Sequence, residues 1–247
     1  DLLCIKVLPE LLEDKGDSQL WRMSRLRWLN SQIGCSDAPT KGYDDIKIKE
    51  NVITATDKRI SLSKNGLPAS IMVNGREVLS QPMQFVVRTS EGDINFPLSE
   101  FKMKKCTSGS VSWESSGVNG GVGFVCNATA EFDGYIHYEV KVSSDTEMTV
   151  EDVFLQSDFS QYSSTYFMGA GHDGGRCPEN HVWKWNGCWD SFWMGGAEAG
   201  LRIEFRGGRY NGPLIKDYKP VLPESWYNRG SGYVAVNRGE TACVKAG

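Results

Sequence analysis

The side chains best suited to chemistry are concentrated between Met168 and Gly196. This segment holds His172, Asp173, His181, Asp190 and four of the eight tryptophans, Trp183, Trp185, Trp189 and Trp193. Indole rings offer flat faces on which the C–H face of a sugar stacks, while carboxylates and imidazoles bond its hydroxyls. On a long loop carried by a rigid scaffold, such residues make a carbohydrate-contacting surface. Its candidates are His172, Asp173, Trp183, Trp185, Trp189, Asp190 and Trp193. The competing reading is packing: tryptophans alternating at 183 and 185 also cover the open end of a sheet structure.

Other chemistries lack their residues. His172, His181 and Asp173 show no HxH or HxxxH spacing, so no metal is expected. There is no GxSxG elbow or Walker loop, and no cofactor is expected. Gly169, Gly171, Gly174 and Gly175 read as turns with positive φ rather than as a phosphate cradle, because no helix follows them. His137 lies in a strand pattern and reads as packed or exposed. A glycosidase needs two carboxyl groups, or one with an assisting substrate group. Asp173, Glu179, Asp190 and Glu198 are the acids at hand, and spacing alone sets no two of them at working separation.

The seven cysteines are scattered and none stands in CxxC spacing. In chain order they suggest the pairs Cys4–Cys35, Cys106–Cys126 across a hairpin turning near Gly117–Gly121, and Cys177–Cys188, with Cys243 left over. Asn127-Ala128-Thr129 is an N-glycosylation acceptor directly after Cys126. Together these features favour a secreted, extracellular protein. The alternative is that the cysteines are small buried apolar residues.

The elements that must position these groups are strands. Between Tyr43 and Leu155 apolar residues alternate with polar ones, as in Ile46 and Ile48, Ile60 and Leu62, Met83 to Val87, Val111 and Trp113, Val122 to Cys126, and Tyr138 to Val142. Asn65-Gly66, Asn74-Gly75, Glu91-Gly92-Asp93 and Asp133-Gly134 punctuate them as hairpin turns. Residues 168–200 read as loop, strands resume at Gly200–Phe205, and 207–232 read as a long surface loop. A terminal hairpin over Gly232–Val236 and Thr241–Lys245 needs a neighbouring strand. The expected fold is all-β: a large antiparallel β-sandwich, supersandwich-like, over 43–247 and incomplete at its C-terminal end. Residues 1–42 form an arm, with a short helix or extended stretch over Ser18–Ile33 whose Arg22, Arg25 and Arg27 make a solvated face. With 40% hydrophobic and 23% charged residues and a net charge of -4, the chain has the make-up of a globular domain. It lacks the basic footprint of a nucleic-acid partner. Leu2–Leu12 is too short and too interrupted to span a membrane. A first residue other than Met reads as a processed or partial chain.

A run of motifs carries a family resemblance. Arg22-Met23-Ser24-Arg25-Leu26-Arg27-Trp28-Leu29 resembles the "RMSRLRWLD" stretch of glycoside hydrolase family 123-like proteins. Asn65 to Ile71 resembles their "NGLPASI" hairpin, Pro82 to Val87 their "PMRFVV" strand, and Glu131 to Tyr135 their "EFDGY". Met168 to Gly175, Trp183-Lys184-Trp185 and Asp190 to Trp193 resemble "MGLGRKGG…WKW…DSFW". Glu198-Ala199-Gly200-Leu201 stands for the family's Asn-Ala-Gly-Leu, and Pro223 to Asn228 is similar to "PPSWYN". The resemblance implies a non-catalytic N-terminal β-sandwich that supports a (β/α)₈ barrel in a β-N-acetylgalactosaminidase-like protein. Its partners would then be the remainder of the parent chain and carbohydrate, including an N-acetylgalactosamine-containing glycan. The family's catalytic Asp-Glu pair belongs to the barrel, and Asp followed by Glu does not occur in this chain, so no catalytic residue carries over. His172-Asp173 in place of a basic pair, and Cys177 and Cys188 around the aromatic loop, depart from the family pattern and suggest an extracellular version with a stapled loop. The rival expectation is a non-enzymatic extracellular glycoprotein module that assembles with another subunit through Cys243.

Overall fold

Alternating side chains and tight Asn-Gly or Gly-Gly turns give short antiparallel strands joined by hairpins. Asn74 and Gly75 both have positive φ (50° and 75°), as do Gly120 and Gly121, which is the backbone twist a two-residue hairpin needs. The computed structural model describes residues 7–10, 32, 36–185, 190–208, 225–228 and 230–247. The helix expected over Ser18–Ile33 (Gln32 apart), its arginines, Cys4, Cys35, Cys188 and Trp189 lie outside those residues.

In chain order the strands are β1 (Lys47–Lys49), β2 (Val52–Ala55), β3 (Lys58–Leu62), β4 (Pro68–Val73), β5 (Arg76–Glu77), β6 (Gln84–Thr89), β7 (Gly92–Ile94), β8 (Glu100–Cys106) and β9 (Ser110–Asn119). They continue as β10 (Val122–Glu131), β11 (Ile136–Ser144), β12 (Val150–Phe159), β13 (Tyr166–Gly169), β14 (Asn180–Lys184), β15 (Ser191–Gly195), β16 (Gly200–Glu204), β17 (Tyr233–Arg238) and β18 (Ala242–Ala246). No helix is present among the described residues.

The all-β expectation holds, but the large sandwich does not form. The strands divide into four small sheets, ordered β1-β2-β3-β4-β5, β11-β10-β9-β8, β14-β17-β18-β12-β6-β7 and β13-β15-β16. The sheets are arranged as a propeller-like ring, and a bridge between Leu79 and Phe159 also ties the first sheet to the third. The five-stranded sheet meets the four-stranded one where Trp113 Nε1 donates to Gly66 O at 2.9 Å. The four-stranded sheet meets the six-stranded one through Phe85 and Phe124, 5.8 Å apart. The six-stranded sheet meets the three-stranded one through Trp185 and Phe205, 5.6 Å apart. The three-stranded sheet returns to the first where Glu198 accepts from Arg76 at 2.6 Å. Alternation in the sequence reports which side of a strand is buried. It carries no information on which strands pair, and pairing is what separates four sheets from two.

One apolar core joins all four sheets, with Ile53 and Ile60 from the first, Trp113 and Phe124 from the second, Val87, Val234 and Val244 from the third, and Phe167, Phe192 and Met194 from the fourth. Three strands, β13, β14 and β15, occupy the stretch 168–200 that reads as loop in the sequence. They are short, at four or five residues each, so the period-two signal is brief. The terminal hairpin finds its neighbour within the chain: β18 lies between β17 and β12.

Candidate functional site

The tryptophans separate by strand register. In β14, His181 and Trp183 stand opposite Val236 and Val234 of β17, whose side chains are buried, so both point into the core. Trp183 and Trp185 meet edge to face at 5.1 Å. Trp185 donates its indole N–H to Gly247 O at 2.9 Å. The rings then continue without a break. Phe205 lies 5.6 Å from Trp185, Trp226 lies 5.6 Å from Phe205, and Phe85 stacks on Trp226 at 5.8 Å. Trp183 and Trp185 are therefore half-buried rings packed against the core, and the packing reading is the one the geometry favours for them.

His172 and His181 belong to the same interior. Their rings lie 5.7 Å apart, and both meet Phe167. His181 Nε2 bonds Ala170 O at 2.8 Å. His172 Nδ1 accepts the Gly174 N–H at 3.2 Å, which folds the turn in which Gly169, Gly171, Gly174 and Gly175 all take positive φ, as their spacing suggests. Asp173 is exposed in that turn. No metal-ligating group of three acids, histidines or cysteines occurs among the described residues.

Asp190 sits at the start of β15, 8% exposed, with its Oδ2 buried and without a hydrogen-bond partner. Burial pushes its pKa up and the Glu204 charge adds to this, while its own backbone N–H, Arg206 and Arg202 oppose the rise. The four candidate acids do not form a catalytic pair. Asp190 and Glu198 flank opposite ends of β15, Glu198 is held by Arg76, and Asp173 and Glu179 are exposed on other elements.

Trp193 behaves differently from the other tryptophans. It projects from the outer face of the three-stranded sheet, between Met168 of β13 and Arg202 of β16. A Cβ added to Gly200 would stand 2.9 Å from Trp193 Cζ2, and one on Gly195 would also collide with the ring. The indole thus lies along the sheet over two glycines and stays partly exposed. Tyr166 and Met168 beside it are 43% and 53% exposed. Arg202 donates to Ser191 Oγ at 3.3 Å and pairs with Glu204 at 3.2 Å. Sequence reasoning missed Tyr166, Met168, Arg202 and the glycine pair. Their signal in the sequence is the alternation 166/168 and 191/193/195, too brief to separate strand from loop.

The cysteine pairs are corrected in part. Cys106 and Cys126 are both free. Cys106 stands opposite Val111 and Val111 opposite Ala130, four positions along β10 from Cys126. At about 3.4 Å per residue and about 4.8 Å per strand, the gap is well beyond the ~7 Å a disulfide spans. Cys177 is free and buried, with its thiol 3.7 Å from Pro178 O. Cys243 is half-buried, and burial together with a hydrogen bond to Asp158 pushes its pKa up to about 12. Asn127 is half-buried in mid-strand of β10, opposite Glu114 and Glu139.

The profile of "Glycoside hydrolase 123, third domain" matches residues 46–246, which is most of the chain. The chain belongs to glycoside hydrolase family 123. Within that family it corresponds to the third domain, in place of the N-terminal one that the motifs suggested. A solved galactose mutarotase related enzyme from Lactobacillus acidophilus is similar at a TM-score of 0.45 and 8% identity, over 82% of this chain and 84% of that one. A search of curated protein sequences finds no match. In this glycoside hydrolase 123 domain no helix among the described residues is long and apolar enough to cross a membrane.

Proposed function

We propose that the domain braces the catalytic part of an exported glycoside hydrolase 123 protein that acts on carbohydrate, β-N-acetylgalactosaminides included. The observation that carries this reading is the unbroken chain of rings from Trp183 through Trp185, Phe205 and Trp226 to Phe85 and Phe124. It draws three of the four sheets together and uses the aromatic segment as structure. Rings packed in this way hold those sheets in a fixed arrangement. Export is the reading that the Asn127-Ala128-Thr129 acceptor motif motivates. A covalent assembly role for Cys243 is disfavoured, since a thiol held protonated by burial and Asp158 is a poor partner for disulfide exchange.

The test compares the parent protein with this chain on an aryl N-acetyl-β-galactosaminide. Hydrolysis by the parent and none by the chain alone is expected. Turnover by the chain alone would overturn the bracing role. A fall in melting temperature and activity together in the parent carrying Trp185→Ala supports it.

A further inference from the structure

The outer face of the three-stranded sheet has a composition that bracing does not require. Row by row across β13, β15 and β16 it places Tyr166, Gly195 and Gly200 side by side, then Met168, Trp193 and Arg202. Two adjacent glycines in paired strands weaken a sheet, because they bring no side chain to pack and lose more backbone entropy than other residues. Here they leave the floor on which the Trp193 indole rests, since a Cβ at either position meets that ring. A tryptophan standing up from a sheet would expose its edge. One laid down on glycines turns a broad surface along the sheet.

We propose that this face is a carbohydrate subsite, in which a pyranose ring stacks its C–H face on Trp193. The stacking surface is flanked on one side by apolar side chains that remain exposed, Tyr166 at 43% and Met168 at 53%. On the other side stands Arg202, whose side chain is 64% exposed and is already oriented by Ser191 Oγ and Glu204. An oriented guanidinium fork donates to two neighbouring ring hydroxyls, while the indole takes the apolar face of the same ring. A flat ring edged by fixed donors matches a ligand that is apolar on its face and polar on its rim. That is the chemistry of a sugar, and this domain belongs to a family whose substrates are glycans. The inference is independent of the bracing role, because it concerns binding and not turnover.

The experiment is affinity electrophoresis of the 247-residue chain in native gels containing soluble polysaccharides: glycol chitin, chondroitin sulfate, galactan and xylan. Retardation by at least one of these is expected, and Trp193→Ala should weaken it at least about tenfold while the melting curve keeps its shape. Trp193→Phe should retain part of the binding, because a smaller ring still stacks. Should Trp193→Ala fail to fold, Arg202→Ala takes its place, and a several-fold loss is expected from this exposed position. No retardation of the unmodified chain by any of the polysaccharides would overturn the proposal. So would unchanged affinity in folded Trp193→Ala or, in its stead, folded Arg202→Ala.

Discussion

The Trp113 indole N–H donates to the Gly66 carbonyl at 2.9 Å, and the same indole nitrogen lies 3.1 Å from where a Cβ on Gly66 would stand. The two residues are 47 positions apart and belong to different sheets. Gly66 has φ 81°, so the Asn65-Gly66 turn is both a turn and a seat for the tryptophan. Gly66→Ala is expected to cost about 1–3 kcal/mol, from the left-handed backbone and the displaced ring together. Trp113→Phe should cost a similar ~1–3 kcal/mol by leaving the buried carbonyl unpaired. Urea unfolding of each variant reads both.

Trp185 and Trp193 should part company in stability. Trp185→Ala removes a ring from the aromatic chain and the indole hydrogen bond to Gly247 O, which keeps the Tyr233 N–H, and about 3–5 kcal/mol should be lost. Trp193→Ala removes a partly exposed ring from an outer face and should cost clearly less. Melting temperatures of the two variants, taken side by side, check the difference. Equal losses would place Trp193 in the core with Trp185.

Asp190 makes a pH-dependent contribution. Its folded pKa is raised above the ordinary carboxylate value, chiefly by burial. The protonated form is therefore the one folding favours. Its contribution is fully present below the unfolded pKa of about 3.9 and is lost as the pH rises through the raised folded value. Above that value an ionised carboxylate is held in a buried place. Asp190→Asn should accordingly melt at a higher temperature than the parent sequence at pH 7, with the gap narrowing as the buffer is taken to pH 4. A gap that widens toward acid would mean that the carboxylate is stabilised by its arginines after all.

Thiol labelling distinguishes Cys106 from Cys126. Cys106 is exposed at the end of β8 and should react with a maleimide in the native protein. Cys126 is fully buried and its thiol is pushed up to about 12, so it should react only on unfolding. Mass spectrometry after brief native labelling reads this directly. Protection of both thiols, lifted only by a reductant, would restore the Cys106–Cys126 bridge.

Hairpins were the most legible part of the fold. Asn74-Gly75 and Asn119-Gly120-Gly121 announce turns because few other residues tolerate the positive φ that two-residue loops demand. The long alternation from Val111 to Cys126 likewise announced β9 and β10 with their buried faces. The candidate site was less legible. Met168 and Trp193 sit 25 positions apart, and only the β13–β15 pairing makes them neighbours. Trp183 and Trp193 look alike as letters in one aromatic run, yet one faces Val234 in the core and the other faces outward beside Arg202.

What the sequence determined by itself is local. The side-chain period selected strands, the glycines and asparagines selected turns, and a string of ordered motifs pointed to glycoside hydrolase 123. Each of these depends on residues a few positions apart, where chain geometry leaves little choice. The tertiary structure alone decided that the strands divide among four sheets, that Trp183 and Trp185 pack against the core, that Cys106 and Cys126 stand too far apart to bond, and that Trp193 lies on two glycines. Those outcomes depend on which distant strands pair and which faces meet. They follow from burying all the apolar faces at once, a condition that no single segment states.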